Sequence, residues 1–485
     1  MDIGMNNKGI LYIIGKMLGI EALILLIPMM VSMGHREESY FAFLCTSALL
    51  FALSFLFTRK KPDTVGIYAK EGLVIVALSW IIWSVFGALP YYISGEIEFY
   101  INCFFETVSG FTTTGASILT EIESLPKGIL FWRNLTEWIG GMGVLVFALA
   151  IIPLSDKSSM HLMRAEMPGP AVGKLEPKIR STAKILYSIY LVLTIALVIF
   201  LLSGGMSLFD AVMHAFSTAG TGGFSNRNAN IGYYNSTYIE GVLAVFMILF
   251  GINFNIFHFF VFKNKRGALK NEELKYYFGL FVAAVGAITI NILPLYQSTI
   301  KALHHAVFQV ASLISTTTYY STDYNLWPEF SKMILLVIMV IGGCAGSTSG
   351  GIKISRVVIG YKIIKNEIRT MLHPRSVNAL KMDGKVIGEE TTHGIFVYMT
   401  CYVFILSISV LLISLDDFNF TSNVTGVLAM LSNVGTGFGS IGPGGNYHAF
   451  SWFSKLVLCV DMLFGRLEII PMLMLLSPSL WRKKF

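Results

Sequence analysis

The stretch Phe111-Thr112-Thr113-Thr114-Gly115-Ala116-Ser117 is small, polar and glycine-bearing, and it sits between two long apolar runs. Three other stretches echo it: Ser217-Thr218-Ala219-Gly220-Thr221-Gly222-Gly223-Phe224, Ser315-Thr316-Thr317-Thr318-Tyr319 and Ser432-Asn433-Val434-Gly435-Thr436-Gly437. Each follows an apolar segment of about ten to fifteen residues, too short to span a bilayer. That length suits a helix that enters the membrane and turns back. Non-helical backbone at membrane depth persists only where it is buried in protein or lines a water-filled cavity. Four such loops in one chain predict four quadrants of one pore, in which backbone carbonyls replace an ion's hydration shell.

Composition agrees with a membrane setting. Of 485 residues, 54% are hydrophobic and 13% charged, and the mean hydropathy is +0.66. A polytopic membrane protein is the class with these values. The formal charge of +7 could suggest nucleic acid. The basic residues, however, form short clusters between apolar runs, which is the positive-inside pattern, so no nucleic acid partner is expected. Cys45, Cys103, Cys344, Cys401 and Cys459 are scattered, with neither metal spacing nor a disulfide framework. The first apolar run, 10–33, carries Lys16 and lacks a small-residue cleavage site, so it reads as a retained helix.

In chain order, spanning helices are expected at 10–33 and 40–57, followed by the basic loop Arg59-Lys60-Lys61. A unit of spanning helix, short re-entrant helix, polar loop and spanning helix then recurs four times. The first unit is 72–93, 100–110, the loop at Thr113, and 128–153. The second is 183–202, 208–219, the loop at Gly223, and 238–262. The third is 276–295, 302–315, the loop at Thr318, and 333–364, and the fourth is 395–415, 424–432, the loop at Gly435, and 453–476. The predicted fold is therefore an all-α polytopic membrane protein. Four pore repeats (59–155, 156–264, 265–376, 377–485) surround a pseudo-fourfold axis, with two N-terminal helices in 1–58. Basic links at 157–180, 263–270 and 365–385 and the basic C-terminus fall on one side. That bias predicts about ten spans with both ends cytoplasmic.

Four motifs, taken together and in order, resemble the TrkH-type subunit of the Trk/Ktr/HKT potassium-transporter superfamily. They are Gly342-Gly343-Cys344-Ala345-Gly346-Ser347-Thr348-Ser349-Gly350-Gly351-Ile352-Lys353, Phe464-Gly465-Arg466-Leu467-Glu468, the loop from Ser109 to Gly115, and Met163-Arg164-Ala165-Glu166-Met167-Pro168-Gly169-Pro170. The resemblance covers nearly the whole chain. It implies potassium uptake across a bacterial inner membrane through one central pore, with K+ as the transported ion and no covalent cofactor. It also implies a homodimer and a cytosolic nucleotide-binding regulatory subunit similar to TrkA. A sodium-permeable member of the superfamily is the alternative within the class. A lipid-acting membrane enzyme is the alternative outside it, but no titratable cluster supports catalysis.

The candidate ion ligands are the carbonyls of Thr113, Thr114 and Gly115, of Thr221, Gly222 and Gly223, of Thr316, Thr317 and Thr318, and of Asn433, Val434 and Gly435. By the resemblance, each loop carries a glycine at one matching position, here Gly115, Gly223, Thr318 and Gly435; the third departs. Positive φ is an outlier for a β-branched residue, so the third loop is expected to relax and turn one carbonyl away. The run 333–341 leads into five glycines and four Ser, Thr or Cys residues at 342–351. At about 1 kcal/mol per glycine, a straight helix is costly there, and an unwound mid-membrane loop is expected. The resemblance implies a gate formed by Gly343, Ala345, Gly346, Ser347, Thr348, Ser349 and Gly350, with Arg466 projecting into the pore beside it. An ion pair of Arg466 with Asp461 or Glu468 is the structural alternative. Glu106 and Asp210 either attract cations or anchor loop backbone, and Asp323 is expected at the outer mouth. Gly437-Phe438-Gly439-Ser440-Ile441-Gly442 matches G-x-G-x-x-G without a preceding strand, so it does not predict dinucleotide binding.

Overall fold

The computed structural model describes residues 6–61, 69–143, 179–260, 271–374 and 379–478. The motif at 163–170, most of the basic link at 157–180, the link at 263–270 and the basic C-terminus lie outside the described residues.

The chain is an all-α polytopic membrane protein. Helices α1 (Asn7–His35) and α2 (Tyr40–Thr58) form an N-terminal hairpin. Gly15 and Gly19 bring the pair close: a Cβ on Gly15 would lie 2.7 Å from the Cβ of Phe57. The first repeat follows as α3 (Ala69–Gly87), α4 (Leu89–Ile93), α5 (Tyr100–Phe111) and α6 (Lys127–Gly141). The second is α7 (Ile179–Ser203), α8 (Leu208–Gly220), α9 (Thr237–Phe250) and α10 (Phe254–His258). The third is α11 (Glu272–Tyr296), α12 (Thr299–Ile314), α13 (Glu329–Ile341) and α14 (Ile354–Leu372). The fourth is α15 (Glu389–Ile413), α16 (Phe420–Leu431), α17 (Trp452–Arg466) and α18 (Ile470–Leu476). A short hairpin, β1 (Lys381–Met382) and β2 (Lys385–Val386), lies between the third and fourth repeats.

Helices α5, α8, α12 and α16 have 12, 13, 16 and 12 residues, as the re-entrant reading requires. Three start on side-chain caps, in which Ser207, Ser298 and Asn419 accept from Asp210, Lys301 and Ser422 N–H. Their C-terminal halves are buried at the centre of the molecule, where the four loops meet.

Two expectations are corrected. The apolar run 72–93 is divided at Ala88, ahead of Pro90, into α3 and α4. The second helix of each repeat is also shorter than a span: α6, α9, α13 and α17 have 15, 14, 13 and 15 residues. Each ends in a glycine-bearing break, at Gly141-Met142-Gly143, Gly251-Ile252-Asn253, 342–353 and Gly465 to Ile469 respectively. Only the third break was expected. Six helices among the described residues are long and apolar enough to cross a membrane by themselves.

Candidate functional site

All four re-entrant helices end in the same way. Thr113, Thr221, Thr316 and Asn433 occupy the left-handed region at φ 54°, 60°, 59° and 48°. Their N–H groups donate back to Gly110, Thr218, Leu313 and Met430 at 2.9–3.1 Å. The next residues, Thr114, Gly222, Thr317 and Val434, donate to Ser109, Ser217, Ser312 and Ala429 at 2.8–3.0 Å. This is the paired bonding of a Schellman cap, with threonine or asparagine where glycine is usual. The third residue of each loop is left-handed again: Gly115, Gly223, Thr318 and Gly435 have φ 75°, 95°, 62° and 80°. Sequence reasoning foresaw the glycines at this third position but missed the left-handed residue at the first.

Thr318 corrects the expectation of a relaxed third loop, because its backbone matches the three glycines. Its surroundings hold it there. Thr318 N–H donates to Ser312 O at 3.3 Å, and Ser312 Oγ donates to Tyr319 O at 2.7 Å. The Tyr319 ring is fully buried, and its hydroxyl donates to His214 O at 3.2 Å. Left-handed geometry costs a non-glycine residue about 1–2 kcal/mol, and this bracing offsets that cost.

The loops abut one another. A Cβ on Gly115 would collide with the Gly222 carbonyl, one on Gly223 with the Thr317 carbonyl, and one on Gly435 with the Thr114 carbonyl. A polar cavity of about 120 Å³ is lined by all four third-position residues, Gly115, Gly223, Thr318 and Gly435. Buried charge anchors the outer ends of the loops. Glu106 pairs with Arg133 at 2.6 Å and accepts from Ile118 N–H at 3.1 Å. Glu137, which sequence reasoning missed, accepts from Phe224 N–H at 3.2 Å. Asp210 accepts from Asn226, Arg227 and Tyr234. Of the two readings open for these acids, Glu106 takes the backbone anchor, whereas Asp210 holds the side chains of Asn226, Arg227 and Tyr234. Asp323 is exposed and accepts from Asn325 N–H at 2.9 Å.

Beneath the loops, the stretch 342–353 is non-helical and ties the four quadrants together. Gly350 N–H donates to Thr316 Oγ1 at 2.7 Å, and Gly351 N–H donates to Ser432 O at 2.9 Å. The stretch therefore closes the seam between the third and fourth loops. Cys344 N–H donates to Gly251 O at 3.0 Å, Phe254 N–H donates to Gly346 O at 3.1 Å, and Thr348 Oγ1 donates to Phe250 O at 3.2 Å. These bonds cover backbone groups that the break in the second repeat leaves without helical partners. Within the stretch, Ser347 Oγ donates to Cys344 O at 2.6 Å and Gly343 O accepts from Ile354 N–H at 3.0 Å. Lys353 Nζ donates to Ser349 O. Ala345 N–H donates to Glu273 Oε1 at 2.7 Å. Arg466 donates to Thr348 O at 2.8 Å and to the α6 carbonyls of Gly140 and Gly141 at 2.6 and 2.7 Å. A cation at a helix C-terminus interacts favourably with the helix dipole. Glu468 pairs with Arg356, and Asp461 accepts from Ser409 Oγ at 2.7 Å.

The architecture is that of a polytopic membrane protein built from four quasi-equivalent helical repeats. A family model described as TrkH, cation transport protein, matches residues 38–483. The chain belongs to the TrkH family. The Trk system potassium uptake protein TrkH of Escherichia coli K12 is 34% identical over 489 residues, covering 99% of this chain and 100% of that protein. TrkG of the same strain, also a Trk system potassium uptake protein, is 31% identical, covering 96% and 97%. The crystal structure of the potassium transporter TrkH from Vibrio parahaemolyticus superposes with a TM-score of 0.88 at 31% identity, over 99% of this chain and 100% of that one.

Proposed function

We propose that this protein takes up potassium across the bacterial cytoplasmic membrane through a pore on its pseudo-fourfold axis. The four loops are its selectivity filter, and 342–353 with Arg466 is its gate. The single observation that carries the filter is the shared floor of the polar cavity, formed by Gly115, Gly223, Thr318 and Gly435 in one repeated backbone conformation. Among the described residues, no protein donor reaches the carbonyls of Thr113, Thr114, Gly115, Thr221, Gly223, Thr316, Thr317 or Thr318. The buried Thr113 hydroxyl has no hydrogen-bond partner either. Buried oxygens without donors are costly, and a dehydrated cation supplies what they lack.

The gate reading rests on the position of 342–353 against two filter loops at once. Arg466 adds a fixed positive charge there, which opposes cation passage until the stretch moves. Positive-inside bias puts both termini in the cytoplasm. The named relatives belong to a Trk system, and the family resemblance implies a homodimer bound to a cytosolic nucleotide-binding subunit similar to TrkA. The test is cation flux into liposomes with K+, Rb+, Na+ and Li+. Potassium and rubidium flux well above sodium and lithium supports a filter, and flux blind to cation identity removes it. Co-purification with the soluble subunit, with and without ATP or NADH, tests the partner. No association under any condition removes that part.

A further inference from the structure

Glu273 lies in the first turn of α11, is 4% exposed, and points at the glycine-rich stretch rather than at its own helix end. Its Oε1 accepts from Ala345 N–H at 2.7 Å and from Ser355 N–H at 3.1 Å. One carboxylate oxygen thus holds one residue near the start of the stretch and one just beyond its end. The preceding residue, Glu272, is held from the polar face. Asp383 accepts from Glu272 N–H at 2.7 Å and from Asn271 Nδ2 at 2.8 Å, and Asp383 N–H donates back to Glu272 Oε1 at 3.2 Å. Lys362 of α14 pairs with Glu272 and donates to Lys381 O at 2.8 Å. Asp383 and Gly384 have φ 51° and 75°, both positive, as a two-residue type I′ hairpin requires. The hairpin therefore presents Asp383 in a defined direction.

We infer that Glu273 is a positioning residue that clamps the glycine-rich stretch at both ends, and that the Asp383-Gly384 hairpin holds the clamp in register through Glu272. This rests on the gate reading above. A carboxylate accepting two N–H groups makes charge-assisted bonds, roughly twice as strong as neutral ones. Losing the clamp frees the stretch without touching the filter loops. The hairpin is solvent-exposed, so anything that displaces it reaches the gate through three consecutive residues, Asn271, Glu272 and Glu273.

The test uses purified full-length protein in liposomes with two readouts: K+ flux, and labelling of the fully buried Cys344 by N-ethylmaleimide, quantified by mass spectrometry. Glu273→Ala is expected to raise both by roughly tenfold, equivalent to about 1.4 kcal/mol. Glu273→Gln keeps an accepting oxygen but loses the charge, and is expected to fall between wild type and Glu273→Ala in both. Asp383→Ala is expected to move both in the same direction as Glu273→Ala, by less. Wild-type labelling of Cys344 in folded Glu273→Ala protein overturns the clamp. Should that variant fail to fold, Asp383→Ala and Glu272→Ala, at the exposed end, decide; wild-type labelling in both overturns the inference. Deletion within 343–350 separates the two readings. If deletion raises flux but Glu273→Ala changes nothing, the clamp falls and the gate stands. If Glu273→Ala exposes Cys344 while neither variant changes flux, the gate reading falls and the clamp stands.

Discussion

Thr318 is where a local rule yields to its surroundings. Its φ of 62° is a glycine's conformation on a β-branched residue. Replacing it with glycine relieves about 1–2 kcal/mol of strain. It also loses the hydroxyl contact to Gly222 O at 3.4 Å and makes the unfolded chain more flexible by about 0.5–1 kcal/mol. These effects nearly cancel. Thr318→Gly is expected to leave thermal stability within a few degrees of wild type. It is also expected to leave the potassium-to-sodium permeability ratio nearly unchanged, because the Thr318 φ already falls in the left-handed region of the three glycines. A several-fold rise in the bi-ionic ratio would mean that threonine holds that carbonyl off the axis. Gly115→Ser is the contrasting case. Its φ is 75° and its Cβ would meet the Gly222 carbonyl, so both stability and the ratio are expected to fall. Arg466→Ala removes the donor to Thr348, Gly140 and Gly141. Potassium flux is expected to rise while melting temperature falls, since buried carbonyls cost about 1–3 kcal/mol each when left unsatisfied. Arg466→Lys keeps the charge but loses the planar fork, so intermediate flux is expected in the same liposome assay.

Among elements, the re-entrant helices were legible because length and apolar content separate them from spans. The glycine-rich stretch was legible because five glycines in ten residues cannot be read as helix. The other three breaks were not. A glycine such as Gly251 or Gly465 inside an apolar run is ordinary in sequence, and its effect depends on contacts from other repeats. Gly251 O takes the N–H of Cys344, some ninety residues away in sequence, a pairing that no local pattern announces. Glu137 was missed for the same reason, since its partner Phe224 belongs to the next repeat. The Asp383-Gly384 pair did carry a signal, because Asp-Gly is a type I′ turn sequence; the surrounding lysines were read as topology and as a contact region for the regulatory partner. Deleting several residues within 343–350 is expected to increase potassium flux in vesicles, because Gly350 holds Thr316 of the third loop and the adjoining Gly351 holds Ser432 of the fourth. Unchanged or lower flux in folded deletion protein would count against it.

For the whole molecule, four quasi-equivalent loops come from separate repeats yet share one cavity floor. Their close approach brings many carbonyl dipoles together, an arrangement that repels itself unless a cation sits among them. The folded state should thus bind the transported ion and the unfolded chain should not. Linkage then gives a stabilisation of RT ln(1 + [L]/Kd), about 2.7 kcal/mol when the ion is present at a hundred times its dissociation constant. Exchanging K+ for Na+, Li+ or choline at constant ionic strength is therefore expected to lower the melting temperature of detergent-purified protein, with Rb+ behaving as K+ does. Constant ionic strength removes the screening contribution, which acts on exposed charges whatever the cation. Gly435→Ser should abolish the difference between salts, because its Cβ would meet the Thr114 carbonyl across the loop boundary. Deletion within 343–350 should preserve the difference, because the bond it removes from the loops goes to Thr316 and not to a third-position residue. Equal melting of the wild-type protein in all five salts would show that the loops do not hold a dehydrated cation selectively, and the filter would have to be sought elsewhere on the axis.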